Sequence, residues 1–259
     1  RIIEMRNAVV IGGAAAALVV LIRQLRSHAI GKQPRLRLTY LDLKSFGEPT
    51  RLALTIGGLE FEDRRVSYEE LSKLRQEGFL PHGQVPVLEI DGIRFAQANA
   101  ILRWVGAQTG LYPEGAEYRA FRLQIDSMEE LLVDIKKVLT PQWYQHCVSR
   151  NPETGNFFPG TKLSDQQQAA VVEALSHGVI PARFAQLERE LEATGGPYLC
   201  GKRMAICDLS FYVLASGLRD GSYCPGIAPT VMDRCPRLLE LLERIGAHPR
   251  VAAWNAQHA

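Results

Sequence analysis

The stretch from residue 83 to residue 98, GQVPVLEIDGIRFAQA, constrains the fold of this chain more than any other segment. Its apolar residues are typical of two short strands, and Asp91-Gly92 between them tolerates the positive φ angles of a tight hairpin turn. Pro86 stands where the first strand begins. Because proline has no N–H to give to a ladder, it suits a strand start or a cis peptide bond in a turn. The segment is therefore predicted to be a β-hairpin with a bend at its entrance.

The residues that flank this hairpin indicate a site for a small acidic peptide. A residue before such a bend turns its backbone N–H and C=O outward, and an extended peptide can pair with that edge. Gln97 and Ala98 then open a helix, whose first N–H groups point to the same side and attract a carboxylate. The alternative is an ordinary hairpin followed by a helix, and these residues taken alone favour it.

Composition and charge exclude several classes of protein. The chain has 259 residues, of which 46% are hydrophobic and 22% charged, which is normal for a globular protein of one large or two ordinary domains. The net charge of +2 is too small to indicate nucleic-acid binding. The five cysteines are scattered, form no CxxC pair and have no zinc-like spacing with histidine, which predicts reduced thiols and no metal site.

The N-terminal segment contains an uncharged run, Ala8–Ile22, which is followed by Arg23 and Arg26. The run is shorter than the about 20 residues of a membrane span, but flanking arginines can snorkel and extend it. Three interpretations compete: a cleaved signal peptide, a buried helix of a soluble protein and a single membrane-spanning helix. A run so rich in glycine and alanine makes a poor soluble core. Residues 1–26 are therefore predicted to form a transmembrane helix, and residues 27–35 a polar linker.

Two features of this helix predict its partners and its orientation. Small residues at the spacing of Gly12 and Ala16 let another helix approach closely, which indicates a helical partner within the bilayer. Basic residues are denser after the run than before it, so the positive-inside rule places the rest of the chain on the matrix, stroma or cytosolic side. The chain starts at Arg1 without a methionine, which fits a removed organellar presequence. We therefore expect a single-pass organellar protein, with the mitochondrial inner membrane favoured over the thylakoid or endoplasmic reticulum.

Residues 36–109 alternate between strand and helix patterns. Strands are predicted on both sides of Asp91 and at residues 36–41 and 60–66. Helices are predicted at residues 48–56, 68–77 and 98–109. The order β-α-β-α-β-β-α is that of a small α+β, thioredoxin-like domain. Thioredoxin-type redox chemistry requires a CxxC motif near the first helix, and the sequence has none.

From about residue 110 no strand pattern remains, so residues 116–259 are predicted to form an all-helical domain. Long helices are expected over residues 116–139 and from Ser164 to about Gly195. Shorter helices are expected to begin near Asp208, Pro236 and Pro249. Residues 141–163 read as an irregular insertion rich in aromatic side chains, longer than a usual connection, which covers a pocket or docks a partner.

A thioredoxin-like half followed by an all-helical half resembles the cytosolic glutathione transferases, and the motifs occur in the family's order. LTYL at residues 38–41 looks like the end of the first strand in the sigma class. GQVPVL at 83–88 looks like the cis-proline loop, and AQANAI at 96–101 like the segment that holds the γ-glutamyl end. HPRV at 248–251 matches the closing helix. The resemblance covers about residues 36–253 and implies the glutathione transferase fold.

The resemblance also implies a chemistry and a set of site residues. Glutathione would be the substrate, and its thiolate the nucleophile. Tyr40 would be catalytic, because a hydroxyl aimed at the sulfur stabilises the anion. The remaining residues would bind the tripeptide. They are Gln84, the Val85 backbone and Pro86 at the bend, Gln97 and the N–H of Ala98 at the γ-glutamyl carboxylate, Arg75 near the glycine carboxylate, and Asp126, which reaches a neighbouring subunit's glutathione.

Two departures from the sigma pattern leave two functions open. Ala98 replaces a serine that would bond the carboxylate, a loss of about 1.5–3 kcal/mol that weakens glutathione binding about 10- to 100-fold. Phe46 replaces an arginine after the first strand. We therefore expect either a membrane-anchored transferase with weakened activity toward apolar electrophiles, or a non-catalytic accessory subunit of a membrane complex. A glutathione-dependent isomerase shares the same scaffold. The expected partners are the lipid bilayer, other membrane subunits or a transferase-type homodimer, and not nucleic acid.

Overall fold

The computed structural model describes residues 33–147 and 164–258. The predicted membrane segment, residues 1–26, and the linker up to residue 32 lie outside this range. Across the described residues, no helix is both long enough and apolar enough to cross a bilayer.

The first part of the described chain is a mixed four-stranded sheet with three helices. Its elements are β1 (Leu36–Leu41), α1 (Glu48–Gly57), β2 (Phe61–Val66), α2 (Tyr68–Gln76), β3 (Val87–Ile90), β4 (Ile93–Ala96) and α3 (Ala98–Thr109). The strand order is β2-β1-β3-β4, with β1 parallel to β2 and the other neighbours antiparallel. The predicted thioredoxin-like order is confirmed.

The hairpin forms as the sequence predicts. Asp91 has a φ of 50° and Gly92 a φ of 87°, so both central turn residues are left-handed. The Asp91 carboxylate also accepts a hydrogen bond of 3.0 Å from the backbone N–H of Arg35, which ties the turn to the start of β1. The Val85–Pro86 peptide bond is cis. The bend therefore lies immediately before β3.

The second part of the described chain is helical, as predicted. After a short 3₁₀ turn (Ala116–Tyr118) it contains α4 (Arg119–Cys147), α5 (Asp165–Ala174), α6 (Ile180–Thr194), α7 (Ile206–Arg219), α8 (Pro236–Gly246) and α9 (Pro249–Gln257). A π-helical turn, Leu175–Val179, joins α5 to α6. Its wider winding brings Leu175 and Ile180, five residues apart, onto the same buried face.

One predicted boundary is wrong. The irregular segment was expected to start at Pro141, but α4 continues to Cys147. A proline inside a helix costs about 3 kcal/mol. The buried residues Ile135 and Leu139 anchor the preceding turns, and we attribute the continuation to that packing. The rest of the predicted insertion, residues 148–163, lies outside the described range.

Helix α7 lies at the centre of the core and joins the two parts of the chain. Most of its residues are buried, and they share one hydrophobic cluster with α1, α3, α4 and α6. At the carboxyl end of α1, the Arg250 guanidinium donates to the carbonyls of Thr55 (2.9 Å) and Ile56 (3.0 Å). Helix α9 therefore caps α1, the helix that follows the predicted catalytic strand.

Candidate active site

The loop before β3 leaves a backbone edge open. Gln84 is exposed and Val85 half-buried, and within the described residues neither makes a main-chain hydrogen bond. A side chain of α2 stabilises the loop: Arg75 Nε donates a hydrogen bond of 2.7 Å to the Gly83 carbonyl. Arg75 thus braces the loop in this structure, and its predicted place at the glycine carboxylate stays a prediction.

The amino end of α3 lies beside this edge. Gln97 has φ 80° and ψ 107°, a strained conformation for a residue other than glycine. Its side chain does not cap the helix, and among residues 33–147 and 164–258 no side chain bonds the first N–H groups of α3, which begin at the half-buried Ala98. Gln97 Nε2 instead lies 3.2 Å from His82 Nδ1. Sequence analysis missed His82, because nothing in its local pattern marks it as a neighbour of Gln97.

Tyr40 lies near the end of β1, in a hydrophobic cluster that half-buried Val85 packs against. Only 4% of its surface is exposed. Its hydroxyl oxygen accepts a hydrogen bond of 3.1 Å from the Phe46 N–H. Burial raises the pKa of Tyr40 to about 12, against the opposing effects of the Ser45 hydroxyl and the Phe46 N–H. The phenol therefore keeps its proton at neutral pH and is a hydrogen-bond donor there.

A buried arginine fixes the backbone around Tyr40. Arg51 is fully buried on α1, and its guanidinium donates to the carbonyls of Leu41 (3.2 Å) and Leu43 (3.1 Å). It also pairs with Glu48 at 3.1 Å and Asp63 at 2.9 Å. The strand end and the following loop are thus held through their main-chain oxygens. The i, i+3 spacing of Glu48 and Arg51 in the first turn of α1 was the available sequence signal.

A buried lysine on α4 approaches the loop between β1 and α1. Lys136 Nζ lies 5.6 Å from the centre of the Phe46 ring. Glu129 lies on the same helix, and both side chains are almost fully buried. Burial lowers the pKa of Lys136 and raises the pKa of Glu129, and attraction between the two opposes each shift. Sequence analysis missed both residues.

Asp126 is fully engaged within its own chain. Its Oδ1 accepts from Arg103 Nε at 2.6 Å and its Oδ2 from the Tyr112 hydroxyl at 2.9 Å. The carboxylate therefore joins α3 to α4. Its predicted contact with a neighbouring subunit's glutathione stays a prediction, and this geometry does not favour it.

Two further features bear on what the site can hold. A cavity of about 130 Å³ lies between α1 and α7, lined by residues that include Lys44, Tyr212 and Asn255. None of the predicted glutathione-binding residues lines it. In the part of the chain that the structure describes, no group of three or more His, Cys, Asp or Glu side chains is placed to hold a metal ion.

Comparison with known proteins agrees with this arrangement. Residues 36–107 match the family model described as "Glutathione S-transferase, N-terminal domain", and residues 141–258 match "Glutathione S-transferase, C-terminal domain". The chain is similar to glutathione S-transferase 1 of Ascaris suum, at 28% identity over 86% of this chain and 97% of that protein. It is also 28% identical to mouse glutathione S-transferase A3, over 83% of this chain and 85% of that protein.

Solved structures show the same fold. Prostaglandin synthase D of Nilaparvata lugens superposes with a TM-score of 0.70 at 23% identity, covering 87% of this chain and 100% of the other. The glutathione S-transferase of Ascaris lumbricoides gives a TM-score of 0.67 at 26% identity, over 87% and 98% of the two chains. The relatives include mammalian A-type proteins, so these matches do not distinguish the predicted sigma-like subgroup. The two domain models, which match in order and together cover most of the sequence, show that this chain belongs to the glutathione S-transferase family.

Proposed function

We propose that this protein is a glutathione transferase that binds the tripeptide along the open edge at Val85 and activates its thiol with Tyr40. Glutathione is the substrate for which the family is named. The observation that carries the proposal is the side-by-side placement of an unpaired backbone edge and an uncapped helix end. An extended peptide with a terminal carboxylate complements both.

Different residues bind different parts of the tripeptide. The N–H and C=O of Val85 pair with the cysteinyl unit, and the exposed Gln84 side chain orients it. The γ-glutamyl carboxylate is attracted to the first N–H groups of α3, at Gln97 and Ala98. Ala98 adds no hydroxyl, so this end is held more weakly than a serine would hold it.

Tyr40 acts as a hydrogen-bond donor to the sulfur. Because its pKa is raised to about 12, it donates throughout the physiological pH range without ionising itself. A donor aimed at a thiolate lowers the pKa of the thiol and increases the nucleophilic fraction at neutral pH. The thiolate then attacks an apolar electrophile, such as a lipid peroxide, whose binding site is supplied in part by the β1–α1 loop.

Three finer features belong to the same proposal. The LTYL segment supports a sigma-like tyrosine mechanism, and the uncharged run Ala8–Ile22 supports a membrane anchor, with the mitochondrial inner membrane favoured. A homodimer is proposed by resemblance. One similar structure, from Necator americanus, is described as monomeric, so dimerisation must be measured for this chain.

An ultraviolet difference spectrum of the glutathione thiolate tests the proposal directly. In wild-type protein the bound thiol should titrate below its free value of about 8.5. In Tyr40→Phe it should titrate near that value while glutathione still binds. Tyr118→Phe, at a half-buried tyrosine before α4, is the matched control and should behave as wild type. If millimolar glutathione gives no saturable binding, the proposal is wrong.

One observation favours the accessory-subunit function instead. Tyr40 is nearly inaccessible, and its hydroxyl already accepts a bond from Phe46. A non-catalytic chain has no need to expose it. Purification in mild detergent distinguishes the two functions: stoichiometric partner subunits without a thiolate band support the accessory role, and a thiolate band that depends on Tyr40 excludes it.

A further inference from the structure

Two cysteine sulfurs lie next to each other where α7 begins. Cys200 is part of a tight turn in which Tyr198 and Gly201 exchange two main-chain hydrogen bonds, of 3.0 and 2.9 Å. Cys207 is the second residue of α7. Their Sγ atoms are 3.6 Å apart, and both side chains are buried.

One carboxylate holds both segments in place. Asp208 Oδ1 accepts from the Leu199 N–H and Oδ2 accepts from the Ala205 N–H, each at 2.8 Å. The turn that carries Cys200 and the helix end that carries Cys207 are thereby fixed relative to each other. A disulfide bond is about 2.05 Å long, so the two sulfurs need to approach by only about 1.5 Å to form one.

We infer that Cys200 and Cys207 are a dithiol pair that glutathione disulfide oxidises to an intramolecular disulfide, a modification site separate from the transferase site. The Cys200 thiolate attacks one sulfur of glutathione disulfide, releases one glutathione and leaves a mixed disulfide. The Cys207 thiolate then attacks the Cys200 sulfur and releases the second glutathione. Two protein thiols are oxidised, one glutathione disulfide is reduced, and the two thiol protons pass to the two glutathione products.

Proximity favours the closed product over the mixed disulfide. The second thiol is held in contact with the first sulfur, so its effective concentration far exceeds that of free glutathione. Burial, together with the hydrogen bond to Cys200 and the Asp208 charge, raises the pKa of Cys207. This slows the exchange but does not determine its end point. The attack begins at Cys200, the more exposed of the two cysteines, when the turn at residues 198–201 opens.

The test equilibrates the full chain in buffers of glutathione and glutathione disulfide, followed by acid quenching, alkylation and peptide mapping. The expected product is lighter than the reduced protein by two hydrogen atoms, with a single link between Cys200 and Cys207. Cys200→Ser and Cys207→Ser should abolish it. Cys224→Ser and Cys235→Ser remove other buried thiols and should leave it intact. Tyr40→Phe should also leave it intact, so failure here and failure of the transferase proposal are distinguishable.

A second measurement separates slow exchange from no exchange. The equilibration is repeated in urea below the unfolding transition, where local opening is more frequent but the end point should be unchanged. The inference is overturned if the pair stays reduced in glutathione disulfide under both conditions. It is equally overturned if only mixed disulfides form, if other cysteines become linked, or if the link appears only after global unfolding.

Discussion

The indole N–H of Trp254 donates to Glu48 Oε1 at 2.7 Å, which joins the last helix of the chain to the first residue of α1. The other oxygen of Glu48 accepts from Arg51, and Arg51 holds the carbonyls of Leu41 and Leu43. Helix α9 is therefore connected through two buried side chains, Glu48 and Arg51, to the backbone that follows Tyr40.

Trp254→Phe should destabilise the protein by about 1–3 kcal/mol, because it leaves a buried carboxylate oxygen without its donor. Chemical denaturation measures the loss. Trp104→Phe is the matched control: this indole is half-buried, and its N–H makes no hydrogen bond within the described residues, so the cost should be smaller. In a double-mutant cycle with Glu48→Gln, strictly additive effects would contradict the proposed link.

Gly47→Ala should displace the Tyr40 ring. A Cβ at position 47 would lie 2.5 Å from two ring carbons of Tyr40, closer than real contacts allow. We expect the thiolate signal with glutathione to fall as far as in Tyr40→Phe, with a modest loss of stability. Gly178→Ala, where a Cβ meets nothing within 4 Å, is the control: it should leave the thiolate signal unchanged and should not destabilise the protein. A wild-type thiolate signal in Gly47→Ala would show that Tyr40 is not needed in this position.

Lys136→Met should raise the pKa of bound glutathione by about one unit. Lys136 Nζ lies 5.6 Å from the centre of the Phe46 ring, and a positive charge placed near a thiolate lowers the pKa of the thiol; one pKa unit corresponds to about 1.4 kcal/mol. Lys137→Met is the control, since Lys137 is exposed and paired with Asp134 on the helix surface. Lys136→Arg should restore the wild-type value. If Lys136→Met and Lys137→Met titrate alike, the charge of Lys136 does not act on the thiol.

The contribution of Asp208 to the free energy of unfolding should fall as the pH rises from about 4 to about 7. Burial raises the pKa of Asp208 to about 7, although two backbone N–H groups oppose the shift. In the unfolded chain the carboxyl loses its proton near pH 4. Between these values the folded state binds more protons than the unfolded state, so the slope of stability against pH is negative.

Asp208→Asn should reduce that slope by one proton and lower stability by about 1–3 kcal/mol, since an amide oxygen can accept from only one of the two N–H groups. Burial also raises the pKa of Glu129. Adding Glu129→Gln to Asp208→Asn should therefore flatten the plot of stability against pH further. Denaturant titrations at several pH values measure both effects. An unchanged slope in Asp208→Asn would mean that Asp208 is ionised in the folded protein across this range.

The secondary structure was predictable where local signals were strong. The predicted bounds of β1 and α3 coincide with the observed ones, because alternating leucines define the strand and Gly110, with a φ of 76°, ends the helix. The boundary at Pro141 was not predictable, since packing of the preceding turns outweighs a local helix breaker. The π-helical turn was also missed, because it depends on the burial of Leu175 and Ile180 in the folded protein, and no residue type marks it in the sequence.

The candidate site likewise contains features that could be predicted from the sequence and contacts that could not. The bend at Pro86 and the start of α3 immediately after Gln97 come from neighbouring residues and could be predicted from sequence alone. The contacts that support them could not be predicted. Trp254 and Glu48 are separated by 206 positions, and Lys136 reaches Phe46 from another domain. Such pairings are determined by how helices pack, which no short motif encodes.

Arg51 donates to main-chain carbonyl oxygens, and every type of residue has such an oxygen. Arg51 therefore places no demand of its own on the side chains at positions 41 and 43, which are held instead by packing in the cluster around Tyr40. Substitutions in the following loop, at Lys44 or Phe46, consequently leave the hydrogen bonds of Arg51 intact, and the backbone beside Tyr40 keeps its position during sequence divergence.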